Sequence, residues 1–160
     1  CILRVHQFNK LDIVSFVKPE DAAKEHELIL SIEEELMQAL ELPYRVLKIC
    51  TGDLGDPAAA KFDIEAWFPS ENKYRETHSC SNCTDYQARR LNTKYRTTNL
   101  PAGRQGNKVQ STEYVYILNG TVFSERPILA ILENYQQKDG SVLIPKVLQS
   151  YTGFEKISQK

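Results

Sequence analysis

Tyr74-Arg-Glu-Thr-His-Ser-Cys-Ser-Asn-Cys-Thr-Asp-Tyr-Gln-Ala-Arg-Arg90 passes from an extended run, through a cluster of hydroxyl and thiol residues, into a helix that starts at Thr84. Glu76 and Ser79, three residues apart at a strand end, offer oxygen donors of the kind a hard cation such as magnesium takes. The plain alternative is a polar strand end running into a capped helix. Upstream, Phe62-Asp-Ile-Glu-Ala-Trp-Phe68 alternates, which places Phe62, Ile64, Ala66 and Phe68 inward and Asp63 and Glu65 outward. Pro69–Lys73 is then the turn joining two neighbouring strands.

The rest of the chain fits around this pair. Ile2–Phe8 and Leu11–Val17 read as two extended runs joined by an Asn9-Lys10 turn, with Arg4, His6 and Phe8 on one face of the first. A cation, an imidazole and a ring on one face make either a solvated edge or a floor for a nucleotide. Lys18-Pro-Glu-Asp21 opens a helix with Ile29, Ile32, Leu36, Ala39 and Leu40 as its apolar stripe; its glutamates, Glu33 included, read as the solvated face. Tyr44–Cys50 is a strand, Thr51–Pro57 a loop without the ending of a phosphate-binding P-loop, and Ala58–Lys61 one helical turn. Asn92–Thr112 has no periodicity and reads as an exposed loop. Tyr114–Leu118 is a short strand that Asn119-Gly-Thr121 breaks. A helix follows, with Arg126-Pro127 at its start and Ile128, Ile131, Leu132 and Tyr135 as its stripe. Arg126 in a first helical turn opposes the helix dipole, which points to an anionic ligand or a nearby carboxylate. Val142–Ile144 is a last strand, and Pro145 opens a helical tail. Strands and helices that do not alternate one for one predict an α+β fold with an antiparallel sheet.

Composition limits the function classes. The 160 residues suffice for one domain with a core, and 20 basic against 21 acidic residues leave no global field for nucleic acid. No apolar run is long enough to cross a bilayer, and the N-terminus lacks the pattern of a signal peptide. Four cysteines without an export signal point to a reducing, cytoplasmic setting with free thiols. Cys80-x-x-Cys83 has no second half at metal spacing, so zinc is disfavoured. A chain that lacks an initiator Met and begins inside a strand-like pattern reads as a piece of something longer.

Several stretches together resemble seryl-tRNA synthetase, a class II aminoacyl-tRNA synthetase, and occur in that family's order. They are Arg-Val-His-Gln-Phe (4–8), Cys-Thr-Gly-Asp-Leu-Gly (50–55), Phe-Asp-Ile-Glu-Ala-Trp (62–67), Arg-Glu-Thr-His-Ser-Cys-Ser-Asn (75–82), Gln-Ala-Arg-Arg (87–90), Leu-Asn-Gly-Thr (118–121) and Ile-Leu-Glu-Asn-Tyr-Gln (131–136). The resemblance implies that residues 1–160 form part of a class II catalytic domain, from the second half of motif 2 through motif 3 and the C-terminal tail. It implies ATP and Mg2+ as cofactors, L-serine and tRNA as substrates, and a homodimer for the full-length parent. Arg4 looks like the motif 2 arginine at the ATP phosphates and Phe8 like the ring that stacks on adenine. Glu76 and Ser79 look like magnesium and phosphate ligands, with Thr77 and His78 lining the ATP site between them. Asp12 and Thr121 look like serine-binding residues, and Arg126 like the motif 3 arginine; Arg4 and Arg126 carry the catalytic assignment. Asp12 replaces the family's usual glutamate, which shortens its reach by one methylene. A different class of function, a synthetase-like paralogue that binds ATP or an aminoacyl-adenylate for regulation or carrier-protein loading, is the alternative.

Overall fold

The structure, a computed structural model, describes residues 2–97 and 111–158. Its centre is a five-stranded antiparallel sheet. In chain order the strands are β1 (Lys10–Val17), β2 (Tyr44–Lys48), β3 (Ala60–Phe68), β4 (Lys73–Asn82) and, after two short strands, β7 (Tyr116–Ser124). Across the sheet the order is β1-β7-β4-β3-β2. A single 3-10 turn, Pro19–Asp21, leads into helix α1 (Ala22–Ala39), and α3 (Glu125–Asn134) follows β7 directly. The antiparallel α+β expectation holds.

Pleating fixes which residues face which side. Ile64, Ala66 and Phe68 of β3 join Met37 and Leu40 at the end of α1 and Ala130 and Ile131 of α3 in one buried cluster. Ala22 and Ile29 of α1 form a second cluster with Cys80 of β4 and Leu118 of β7. Both long helices therefore cover the same face of the sheet. The opposite face is partly covered by α2 (Tyr86–Leu91), whose Ala88 packs with Val115 and Ile117.

Several expectations need correction. Residues 2–9 form turns and bends rather than a strand, so there is no hairpin at Asn9-Lys10; Lys10 begins β1 instead. The buried stripe of α1 is Ala22, His26, Ile29, Glu33 and Met37. That stripe is rotated from the apolar one read in the sequence because the helix seats a polar residue, Glu33, against the sheet. Ala58–Lys61 is no helical turn, since Ala60 already belongs to β3. Asn119-Gly-Thr121 does not break a strand but runs inside β7. Gly120 is needed there for space: a Cβ on it would lie 2.3 Å from Cγ2 of Ile29 and 3.0 Å from Oε1 of Glu33. The segment from Asn92 to Thr112 is not wholly a loop. Lys94–Thr97 (β5) and Ser111–Tyr114 (β6) pair as a ribbon, while 98–110 lie outside the described residues. In α3 the buried residues are Pro127, Ala130 and Ile131, while Ile128 and Leu132 remain exposed at the surface. The C-terminal strand β8 (Val142–Leu143), helix α4 (Lys146–Thr152) and strand β9 (Lys156–Ile157) close the described chain.

Candidate nucleotide-binding site

Helix-covered residues of β4 and β7 alternate with residues that face the other way, and these open onto a hollow of about 280 Å³. Arg4, Phe8, Glu76, Thr77, Ser79, Thr121 and Arg126 all line it. Four segments of sequence far apart in the chain thus converge. β4 presents Glu76 and Ser79, β7 presents Thr121, the first turn of α3 presents Arg126, and the irregular segment before β1 lays Arg4 and Phe8 across the mouth.

The arginine at the helix start has its carboxylate. Nη1 of Arg126 lies 3.0 Å from Oε2 of Glu76 and also donates to the Glu76 carbonyl at 3.0 Å. Its Nε donates to the carbonyl of Leu3 at 3.3 Å, which ties the segment carrying Arg4 to the helix. The pair is only partly buried, 30% and 40% exposed, so a ligand can reach both partners. On the same reasoning its contribution to stability is small, about 0–1 kcal/mol. The backbone amide of Asn9 donates to Oε1 of Glu125 at 2.6 Å, a second tie between that segment and α3. Phe8 is 54% exposed, an aromatic ring standing at the rim rather than in the core.

Two residues, His78 and Asp12, are placed differently from expectation. His78 is 1% exposed and does not line the hollow. Its Nδ1 meets the Thr77 hydroxyl at 3.0 Å, and desolvation, offset only in part by the Val122 backbone, lowers its pKa to about 4. A sealed, neutral imidazole is a core residue, and the assignment of His78 to the wall of the ATP site is corrected accordingly. Thr77 lines the hollow but is buried, and its hydroxyl donates to the carbonyl of Ile64 across β3 at 3.2 Å. Asp12 faces a neighbouring groove, together with Gln87, Arg90 and Asn119, and pairs with Lys10 at 2.8 Å. A register shift between Leu11 and Asp12 sets it opposite Thr121.

Sequence reasoning missed two groups. Lys10 lines the hollow as a third cation because it opens β1 instead of forming a turn with Asn9. Glu33, whose place in a run of glutamates suggests a solvated face, is 0% exposed, and neither carboxyl oxygen has a hydrogen-bond partner of ordinary geometry. Desolvation raises its pKa to about 8. Cys80 and Cys83 are buried free thiols on different contacts: Cys80 packs against α1, and Cys83 Sγ is approached by the Asn119 amide at 3.6 Å. Among the described residues no group of three or more His, Cys, Asp or Glu is arranged to hold a metal ion. Glu76 and Ser79 nevertheless suit magnesium, which keeps several waters and needs only one or two protein oxygens beside substrate phosphates.

Residues 1–135 match the model of the tRNA synthetase class II core domain (G, H, P, S and T). The chain belongs to the class II tRNA synthetase core family. Within that family it is similar to serine–tRNA ligase of Dictyoglomus thermophilum, 54% identical over 160 residues that make up 99% of this chain and 35% of the relative. Two solved structures superpose closely. One is seryl-tRNA synthetase from Pyrococcus horikoshii complexed with ATP, with a TM-score of 0.90 and 49% identity, covering 100% of this chain and 34% of that one. The other is cytoplasmic serine–tRNA ligase from Naegleria fowleri in complex with AMP, with a TM-score of 0.85 and 41% identity, covering 99% and 36%. This class II core chain therefore spans about a third of the length of the relatives it matches. No helix among the described residues is long and apolar enough to cross a membrane.

Proposed function

We propose that this chain is the nucleotide- and serine-gripping part of a serine–tRNA ligase catalytic domain, extending from the second half of motif 2 through motif 3 and the C-terminal tail. The observation that carries this reading is the convergence of Arg4, Arg126, Glu76 and Ser79 on one hollow rimmed by Phe8. That four of these were expected from sequence to meet at a triphosphate, and share one cavity, is a stronger support than any single motif. The bound nucleotides in the two similar structures agree with it.

In this reading Phe8 stacks on the adenine while Arg4 and Arg126 hold the phosphates with charge-assisted hydrogen bonds. Glu76 and Ser79 would hold Mg2+, which when bound offsets charge on the phosphate oxygens. Thr121 and Asp12 orient L-serine. The serine carboxylate oxygen attacks the α-phosphorus, the bond from that phosphorus to the bridging oxygen breaks, and pyrophosphate leaves. No protein nucleophile takes part. The protein's contribution is positioning and charge stabilisation in a preformed site. The full-length parent then transfers serine to tRNA as a cytoplasmic homodimer, and the 160 residues alone have little activity.

Serine-dependent ATP–pyrophosphate exchange tests the reading. The full-length protein is expected to exchange with serine above all other amino acids, and its Arg126→Ala variant to lose that exchange. Absence of serine-dependent exchange in the full-length protein refutes it. Robust exchange by the isolated 160 residues refutes the statement about the fragment.

A further inference from the structure

The carboxyl of Glu33 has no role in the chemistry above, yet it occupies one of the most crowded places in the fold. It lies at the sheet-facing side of α1, fully buried, with neither oxygen hydrogen-bonded in ordinary geometry. A carboxyl without partners in such a place is costly and calls for a reason. What stands against it is Gly120. A Cβ there would come within 3.0 Å of Oε1 of Glu33 and 3.4 Å of Cβ of Cys80, so helix and strand touch through a missing side chain. Gly120 pairs with Cys80 across β4 and with Ile13 across β1. The next residue, Thr121, turns to the other face and lines the hollow. The height of β7 at this point, and so the location of the Thr121 side chain, is set by what α1 pushes up beneath it.

We propose that Glu33 is a positioning residue for Thr121: its carboxyl, wedged under Gly120, fixes the level at which β7 presents the Thr121 hydroxyl to the amino-acid substrate. This rests on the functional reading above. Desolvation holds the group neutral with a pKa near 8, an effect the Thr121 backbone and Cys80 thiol offset only in part. Around it, β4 contributes Cys80, kept as a thiol with its pKa pushed up to about 12, and the neutral His78. β3 contributes Asp63, whose charge adds to the rise, and β1 contributes Lys10, which opposes it. His26, two turns earlier on α1, bonds to the Cys80 carbonyl at 3.1 Å. When Glu33 ionises, a bare charge under Gly120 must draw in water or part α1 from β7, and either movement displaces Thr121.

The test compares the full-length protein with its Glu33→Gln and Glu33→Ala variants by two measurements. In the first, KM for serine and KM for ATP are followed from pH 6 to 9 in pyrophosphate exchange. The native serine KM is expected to rise several-fold more between pH 7 and 9 than that of Glu33→Gln, while the two ATP profiles coincide. Glu33→Ala, which leaves a void beneath Gly120, is expected to raise serine KM at every pH, and the isosteric glutamine to restore it. In the second, the protein carries 13C-labelled threonine methyls, with the Thr121 signal identified by its loss in Thr121→Ser. That methyl is expected to shift with a midpoint near pH 8 in the native protein and to stay still in Glu33→Gln. Superimposable serine profiles for native and Glu33→Gln, or a Thr121 methyl that titrates alike in both, overturn the proposal. A protein that lacks serine-dependent exchange refutes the functional reading instead, and the methyl titration still decides whether Glu33 governs Thr121.

Discussion

Replacing Gly120 by alanine adds one methyl group where α1 and β7 meet, and the structure sets the size of the effect. The new carbon would lie 2.3 Å from Cγ2 of Ile29. Carbon atoms in van der Waals contact sit about 3.5–4.0 Å apart, so helix and strand must separate by more than an ångström or Ile29 must leave its rotamer. Neither is easy. Ile29 is fully buried in the cluster with Ala22, Cys80 and Leu118, and α1 is also anchored by Met37 at its far end. Overpacking costs about 1–3 kcal/mol, and the rigidity of both partners places Gly120→Ala near 3 kcal/mol. With a urea slope of about 2 kcal/mol per molar, the unfolding midpoint falls by roughly 1.5 M. Trp67, the single tryptophan, packs edge-on against Tyr74 at 5.1 Å and reports the transition by fluorescence. The decisive comparison is a double-mutant cycle with Ile29→Ala. That change alone costs about 2–5 kcal/mol as a cavity, but the added methyl partly fills the space, so the double variant is more stable than the sum by at least about 1 kcal/mol. Additivity within about 0.5 kcal/mol would show that the contact does not limit the approach of α1 to β7.

Other outcomes follow from the same geometry. Glu33 has a native pKa raised to about 8, so the native state binds its proton more tightly than the unfolded chain; the stabilisation is complete below the ordinary glutamate value of 4.5 and is lost as pH rises toward 8. His78 has a native pKa lowered to about 4 and loses its contribution as pH falls from 6.5 toward 4. Urea midpoints measured across pH are therefore expected to peak between about 5 and 6, with a fall on the alkaline side that disappears in Glu33→Gln. Arg126→Ala in the full-length protein is expected to lower the exchange rate by about 10²–10³, as for loss of one preorganised charge-stabilising donor, with a far smaller effect on thermal stability. Phe8→Ala, which removes an exposed ring, is expected to weaken ATP binding by roughly tenfold in calorimetry, from about 1–1.5 kcal/mol of stacking, without lowering the unfolding midpoint.

How much of this was legible in the sequence depends on whether a residue's task is local. The strand Phe62–Phe68 announced its buried face because alternation is written into consecutive residues, and Ile64, Ala66 and Phe68 are buried as that pattern demands. Arg126 was legible for a similar reason: a cation at the wrong end of a helix dipole implies a counter-charge, and Glu76 supplies it. Glu33 could not be read this way. Three successive glutamates look like a solvated face, and only the vacancy at Gly120, 87 positions further along, allows the first of them to turn inward. His78 failed for a related reason, since its neighbours Thr77 and Ser79 do line the hollow and only the pleat of β4, interrupted by the register shift opposite Ile64 and Glu65, tells it apart. The segment of residues 2–9 has strand-like alternation, yet it pairs with no strand among the described residues and is tied to α3 by Arg126 and Glu125.

The two rims of the sheet are unequal. β2 is five residues long and carries Arg45 and Lys48, charges that discourage a visitor. β1 is eight residues long, pairs with β7 on one side only among the described residues, and leaves Leu11, Val14 and Phe16 more than half exposed. A long, apolar selvage of this kind is a template for another extended segment. Among the described residues, this rim rather than β2 is the one suited to receive a further strand.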